Sequence, residues 1–167
     1  MSTLNEFGLN LRTRRSEMGL SQARVAAMSG LSRQTINQLE AGSAPDLGIN
    51  KVERLASSLG LALRVDTGCP QRAVFGTMPP LTRAAATASV SYKTSLSAAQ
   101  LEQILVTGQV PQRYAPHLYV VLDEAPVSLL AAVVEQIASQ AHIERDHIWT
   151  NLRHLARQLK SGRDLWQ

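Results

Sequence analysis

An all-α protein built in two helical parts is the fold class this 167-residue sequence predicts, and three observations predict it. Apolar residues recur at spacings of three, four and seven along both ends of the chain, the helical period. Serine caps and glycine stops bracket most of these stretches. Strand-like alternation occurs over one short run, where Leu61, Leu63 and Val65 alternate with Ala62, Arg64 and Asp66, so a short strand is expected after the first helical part.

The first domain spans 1–66. Leu4, Phe7, Leu11 and Met18 fall on one helical face, Arg12, Arg14 and Arg15 reach outward or to its rim, and Gly19 supplies a left-handed stop. Ser21 caps a short helix to about Met28, and Ser29-Gly30 breaks it. Ser32 caps the next, which runs to Glu40 and ends at Ala41-Gly42. Asn50 and Glu53 read as a capping box for a helix that buries Val52, Leu55, Ala56 and Leu59 and stops at Gly60.

Residues 67–95 read as a linker or an extra helix. Gly68, Pro70, Gly76, Pro79 and Pro80 argue for the linker, while the alanine-rich run RAAATASVS, with Thr82 as its cap, argues for the helix. A second helical domain is expected over 96–167. Ser97 and Gln100 form a capping box for a helix to about Thr107, closed by Gly108. A second helix follows Pro116 to about Asp123. A third follows Pro126 to about Gln140, with a stripe of Leu130, Val133, Val134, Ile137 and Ala141. The last, about Glu144 to Lys160, aligns Ile148, Leu152, Leu155 and Leu159, and places Arg153, Arg157 and Lys160 towards the end where the helix dipole favours cations.

Composition excludes whole function classes. With 44% hydrophobic and 18% charged residues the chain can bury a core, which rules out a disordered protein. Seventeen Lys and Arg against thirteen Asp and Glu give +4, a bias that permits a polyanionic partner without requiring one. One cysteine, Cys69, excludes an intramolecular disulfide framework and a multi-thiolate zinc site. The opening MSTLNEFGLNLRTRR has no apolar signal region, and no apolar run reaches membrane-spanning length, so a soluble cytoplasmic protein with no membrane partner is expected.

Signals for catalysis are weak. His117, His142, His147 and His154 read as surface or groove residues. The pair on one helix, His147 and His154, is separated by about 10.5 Å, too far to share a zinc ion. Asp123-Glu124 reads as an acidic pair at a helix end, and neither a glycine-rich phosphate loop nor a GxSxG turn occurs. No catalytic residue, metal or cofactor is expected, and the protein is not read as an enzyme.

The informative segment is QARVAAMSGLSRQTINQLE, residues 22–40. Two helices cross steeply only where the crossing residues are small, and Ala26 with the turn residue Gly30 meets that demand. Val25, Leu31, Ile36 and Leu39 then form a wedge beneath the turn. Arg33, Gln34, Asn37 and Gln38 remain on the outer face of the second helix. Arg pairs with guanine O6 and N7, and Gln or Asn with adenine N6 and N7, so these side chains carry base-reading chemistry.

Through LRTRRSEMGLSQ, the Ala26/Gly30/Ile36/Leu39 spacing and SRQTINQLEAG, residues 4 to 65 resemble the Cro/C1-type (XRE family) helix-turn-helix of phage repressors and bacterial regulators. The resemblance implies a lambda-repressor-like domain in which Arg33, Gln34 and Gln38, with Asn37 beside them, contact bases. Gln22 would touch the phosphate backbone and buttress the recognition helix. Ser32, Thr35 and Arg12 are expected to contact that backbone too. Arg15 and Glu40 occupy positions that form an internal ion pair in some members. After Gly42 the sequence SAPDLGINKVERL departs from the shorter link common in the family.

A recognition helix reads only about four base pairs, so such modules read two half-sites through a two-fold axis. The expectation is therefore a DNA-binding transcriptional regulator, a repressor reading a palindromic operator as a homodimer. Its dimer axis would be built by the strand at Leu61 to Val65 or by the helical second half. The alternatives are an antitoxin that binds a protein toxin and represses its own operon, and a regulator whose helical half holds an effector pocket.

Overall fold

In the computed structural model, residues 3–44, 46–63, 78–90, 92 and 94–166 are described. Among them the chain forms nine α-helices and two short 3-10 turns. The first four helices are α1 (Thr3–Glu17), α2 (Gln22–Ser29), α3 (Arg33–Glu40) and α4 (Ile49–Ser58). Their boundaries follow local chemistry. Ser21 Oγ accepts the Arg24 amide at 3.1 Å and Ser32 Oγ accepts the Thr35 amide at 3.0 Å, satisfying donors that each helix start would leave open. Gly30 closes α2 with φ 69°.

Helix α4 starts differently from the expected Asn50/Glu53 capping box. Its N-cap is Gly48, with no side-chain cap bond, and Ile49 is already helical. Asn50 therefore sits inside the first turn, where its amide is out of register to act as a cap. The strand expected at Leu61 to Val65 is also corrected. Among the described residues there is no strand, and Leu61, Ala62 and Leu63 have no ladder partner, without which alternation alone makes none. Arg64, Val65 and Cys69 lie outside the described residues.

The second part contains α5 (Pro80–Ser89), α6 (Ala98–Thr107), α7 (Ala115–Glu124), α8 (Val127–Ala141) and α9 (Arg145–Gln158). The alanine-rich run is thus a helix, but Pro79 precedes it and Pro80 opens it, leaving Thr82 within the first turn. Ser97 and Gln100 form the reciprocal capping box of α6. Helix α7 begins at Ala115, ahead of Pro116, because the 3-10 turn Gln112–Tyr114 leads directly into it.

Helix α5 lies against α6, α7 and α8, and α9 lies against α6 and α8. The α8 stripe is buried through Leu130, Val133, Val134 and Ile137, whereas Ala141, expected to continue it, is exposed at the helix end. On α9, Ile148, Leu152 and Leu155 are buried and Leu159 is half-buried. The C-terminal turn Asp164–Trp166 folds back onto this core. Trp166 sits 6.4 Å from Trp149 by ring centroid and donates to the Leu122 carbonyl at 3.0 Å.

His117 corrects the surface reading given to all four histidines. It is buried, its Nε2 lies 2.6 Å from the Thr94 carbonyl oxygen, and its ring packs beside Tyr92 and Tyr114. Two aromatic neighbours and one carbonyl acceptor take the place of water around this imidazole. His142, His147 and His154 are exposed.

One hydrophobic core runs through both parts, from Leu11, Val25 and Leu55 to Leu130, Trp149 and Leu155. Helix α9 packs on α1 and α8 on α4. The approach at α4 is close: a Cβ on Gly60, whose φ is 68°, would lie 2.8 Å from the Val127 carbonyl oxygen and 3.0 Å from the Ala131 Cβ. Polar contacts surround this seam. Arg145 pairs with Glu17 at 3.2 Å, Arg153 reaches the Gly19 carbonyl, and Arg24 of α2 binds the backbone oxygen and carboxylate of Asp164.

Candidate nucleic-acid interface

Helix α3 is sunk by one face and open on the other. Ile36 and Leu39 are fully buried against α1 and α2, which fixes the orientation of the helix. The approach of α1 depends on Gly8, where a Cβ would overlap the Leu39 carbonyl oxygen. Arg33, Gln34 and Asn37 are consequently exposed, and Gln38 is half-buried. The side chains of Arg33 and Gln34 make no hydrogen bond or ion pair among the described residues, so their donors and acceptors face outward unspent.

The C-terminal end of α3 is tied down by a charged cluster. Arg15 reaches both oxygens of Glu40, at 2.7 and 2.9 Å, and its third nitrogen donates to the Leu20 carbonyl at 2.9 Å. Gln22 donates to Glu40 at 3.0 Å, and the same amide nitrogen lies 3.5 Å from Asn37 Oδ1. The start of α2, the end of α1 and α3 are thereby joined through one carboxylate. Burial alone would raise the Glu40 carboxyl. Hydrogen bonds from Arg15 and Gln22 and the charges of Arg15 and Arg12 outweigh burial, holding Glu40 below the ordinary carboxylate range and ionised.

The remaining expected backbone contacts lie around this face. Ser32 and Thr35 sit at the start of α3, their hydroxyls 2.8 Å apart, and Ser32 is exposed while Thr35 is half-buried. Arg12 is exposed on α1 and close enough to act on Glu40. Arg14 instead pairs with Glu17 at 3.5 Å, and Arg15 is committed to Glu40. Arg54 of α4, which the sequence reading passed over, brings its guanidinium to within 3.8 Å of where a Gly30 Cβ would stand. Its position on the exposed side of α4 was the only sequence signal for it.

Among the described residues, no cluster of His, Cys, Asp and Glu could hold a metal ion, and no single helix is long and apolar enough to cross a membrane. Comparison with curated proteins and with solved structures found no match. Comparison with protein families found one over residues 11–65, the helix-turn-helix, a span that contains α2, the Gly30 turn and α3. Residues 11–65 are a helix-turn-helix domain of the Cro/C1 (XRE) type.

Proposed function

We propose that this protein is a sequence-specific regulator of transcription that binds double-stranded DNA as a homodimer and represses at a palindromic operator. The helix-turn-helix domain implies DNA binding and points to a regulator rather than an enzyme. The observation that carries the finer reading is the outer face of α3. A helix with Ile36 and Leu39 fully buried and its end pinned through Glu40 presents Arg33 and Gln34 with their polar atoms unspent, and Asn37 beside them with its Oδ1 3.5 Å from the Gln22 amide nitrogen. Side chains presented from a helix fixed in this way can discriminate bases, because each bidentate pair is worth about 1 to 3 kcal/mol against the wrong base.

Arg33, Gln34, Asn37 and Gln38 are assigned to base edges. Ser32, Thr35 and Arg12 are assigned to phosphates, where they position the helix without reading sequence, and Gln22, whose amide nitrogen bonds Glu40, is assigned to the buttress of α3, with a phosphate contact requiring that nitrogen to turn from Glu40. Arg15 and Glu40 serve as the internal brace. The helical second part is assigned to self-association; it packs on α1 and α4, which leaves the outer face of α3 clear for DNA. Binding DNA places the protein in the compartment that holds the chromosome.

Selection of bound sequences from random duplex DNA tests this reading, with sedimentation of the full chain alongside. A palindromic consensus bound by a dimer is the expected result. Enrichment of no sequence would overturn specific recognition, and a non-palindromic consensus bound by a monomer would overturn the symmetric assembly.

A further inference from the structure

A surface cavity of about 420 Å³ opens between the C-terminal end of α6 and the segment leading to α7. Its size lies within the range of small-molecule sites. Ile104 and Tyr114, both buried, and the half-buried Val110 supply an apolar floor. Gln103, Gln109 and Arg113 supply the polar groups. The Arg113 guanidinium lies over the Tyr114 ring, 4.6 Å from its centroid, and makes no ion pair among the described residues. The side-chain amides of Gln103 and Gln109 are likewise free of hydrogen bonds there. No carboxylate lines the cavity.

We propose that this cavity binds a small organic carboxylate with an apolar body. One uncompensated cation in a cavity without an acidic side chain favours an anion, and the planar guanidinium matches a carboxylate in a two-pronged hydrogen bond. A single cation suits a monoanion better than a phosphate dianion. The apolar floor requires an apolar body, and the two free amides can hold the remaining carboxylate lone pairs or a polar substituent.

The cavity is also mechanically linked to the DNA-binding part. Asn151 of α9 donates to the carbonyls of Leu105 and Val106 at 2.9 and 2.8 Å, at the end of α6 that walls the cavity. From the same helix, Arg153 holds the Gly19 carbonyl in the turn from α1 into α2, and Arg145 holds Glu17. A ligand that shifts the end of α6 therefore acts on the helix seated against that turn, and by linkage DNA and ligand would alter each other's affinity. This second step rests on the DNA-binding reading, whereas the carboxylate site does not.

Titration of the full chain with benzoate and hexanoate, against benzamide and hexanamide as neutral isosteres and inorganic phosphate as a body-free anion, tests the site by calorimetry and amide NMR. The acids should bind at least about tenfold more tightly than the amides and move the signals of residues 107–114. Arg113→Gln should abolish that preference with circular dichroism unchanged, and Arg113→Lys should retain part of it. Acids and amides binding alike, no saturable binding of either acid, or phosphate binding as tightly as the acids would overturn the proposal. Affinity for a selected duplex, measured with and without saturating benzoate, tests the link, and an unchanged value would overturn it. Failure of the chain to bind any duplex would defeat the DNA-binding reading while the carboxylate titration still stood.

Discussion

Helices α3 and α9 are both amphipathic and both carry arginine, yet two of the three arginines on α9 are spent within the chain and the one on α3 is not. On α9, Arg145 pairs with Glu17 and Glu135, and Arg153 binds the Gly19 carbonyl and Thr150 Oγ1, so these two are engaged within the chain, while Arg157 near the helix end is exposed. On α3, Arg33 is exposed and unpaired among the described residues, with Gln34 and Asn37 alongside. Basic residues on a helix thus say little until their intramolecular partners are known. A net charge of +4 could not separate Arg33 from Arg145 and Arg153, and their contacts do.

The largest effect should come from the brace beneath α3. Glu40 is almost wholly buried and Arg15 mostly so, and removing either leaves the other charge poorly compensated. Glu40→Ala should cost about 3 to 5 kcal/mol, read as a lowered urea midpoint, and a cycle with Arg15→Ala should show strong coupling. The same pair gives a pH signature. Because the folded-state carboxyl lies below its ordinary value of 4.5, its contribution is fully present above that value and is lost as pH falls through the folded value. Glu40→Gln should flatten the acid limb of the stability curve, and an unaltered limb would remove the brace from the account.

Gly8 comes next. Alanine there gains up to about 1 kcal/mol in helix propensity, but its methyl group would overlap the Leu39 carbonyl oxygen and push α1 off α3. Overpacking of that kind costs about 1 to 3 kcal/mol, so Gly8→Ala should be destabilising, and a neutral result would mean the two helices can separate freely.

The outer face of α3 should behave in reverse. Arg33→Ala and Gln34→Ala should leave stability within about 0.5 kcal/mol while each costs about 1 to 3 kcal/mol of discrimination at one base position. Arg12→Ala should instead weaken all duplexes alike and reduce the salt slope by about one unit. Equal loss of specificity from both kinds of change would erase the division between base and phosphate contacts.

How much of this could be read in advance depended on the range of the interaction. Ser21, Ser32, Ser97 and Gln100 act within three residues of themselves, so their caps were legible as local patterns. The wedge of Val25, Ile36 and Leu39 was legible too, because its spacing within one short segment fixes its packing. Gly8 was not, since its role depends on a carbonyl that the tertiary crossing brings to it. His117 was missed for the same reason: a lone histidine shows its burial only once Tyr92 and Tyr114 are placed around it. The Asn50 box failed through a shift of two residues in the helix start, a distance that pattern alone does not resolve.

The smallest effect should lie on the polar rim between the two parts, and it sharpens the contrast between α3 and α9 most directly. Arg145 is close to half exposed, as is Glu135, and Glu17 is less so. Its raised affinity for the proton, which comes first from the hydrogen bond with Glu135 and then from that carboxylate's charge, is therefore largely screened by solvent. Exposed pairs of this kind contribute about 0 to 1 kcal/mol, and Arg145→Ala should fall in that interval, with the difference from wild type shrinking as salt is added. The two parts should stay docked in the variant, because the continuous core and the close approach at Gly60 persist without the pair. Hydrogen exchange across α1 and α9 would report this as unchanged protection. Loss of protection in both helices together would mean that charge, and not apolar contact, holds the second part against the DNA-binding domain.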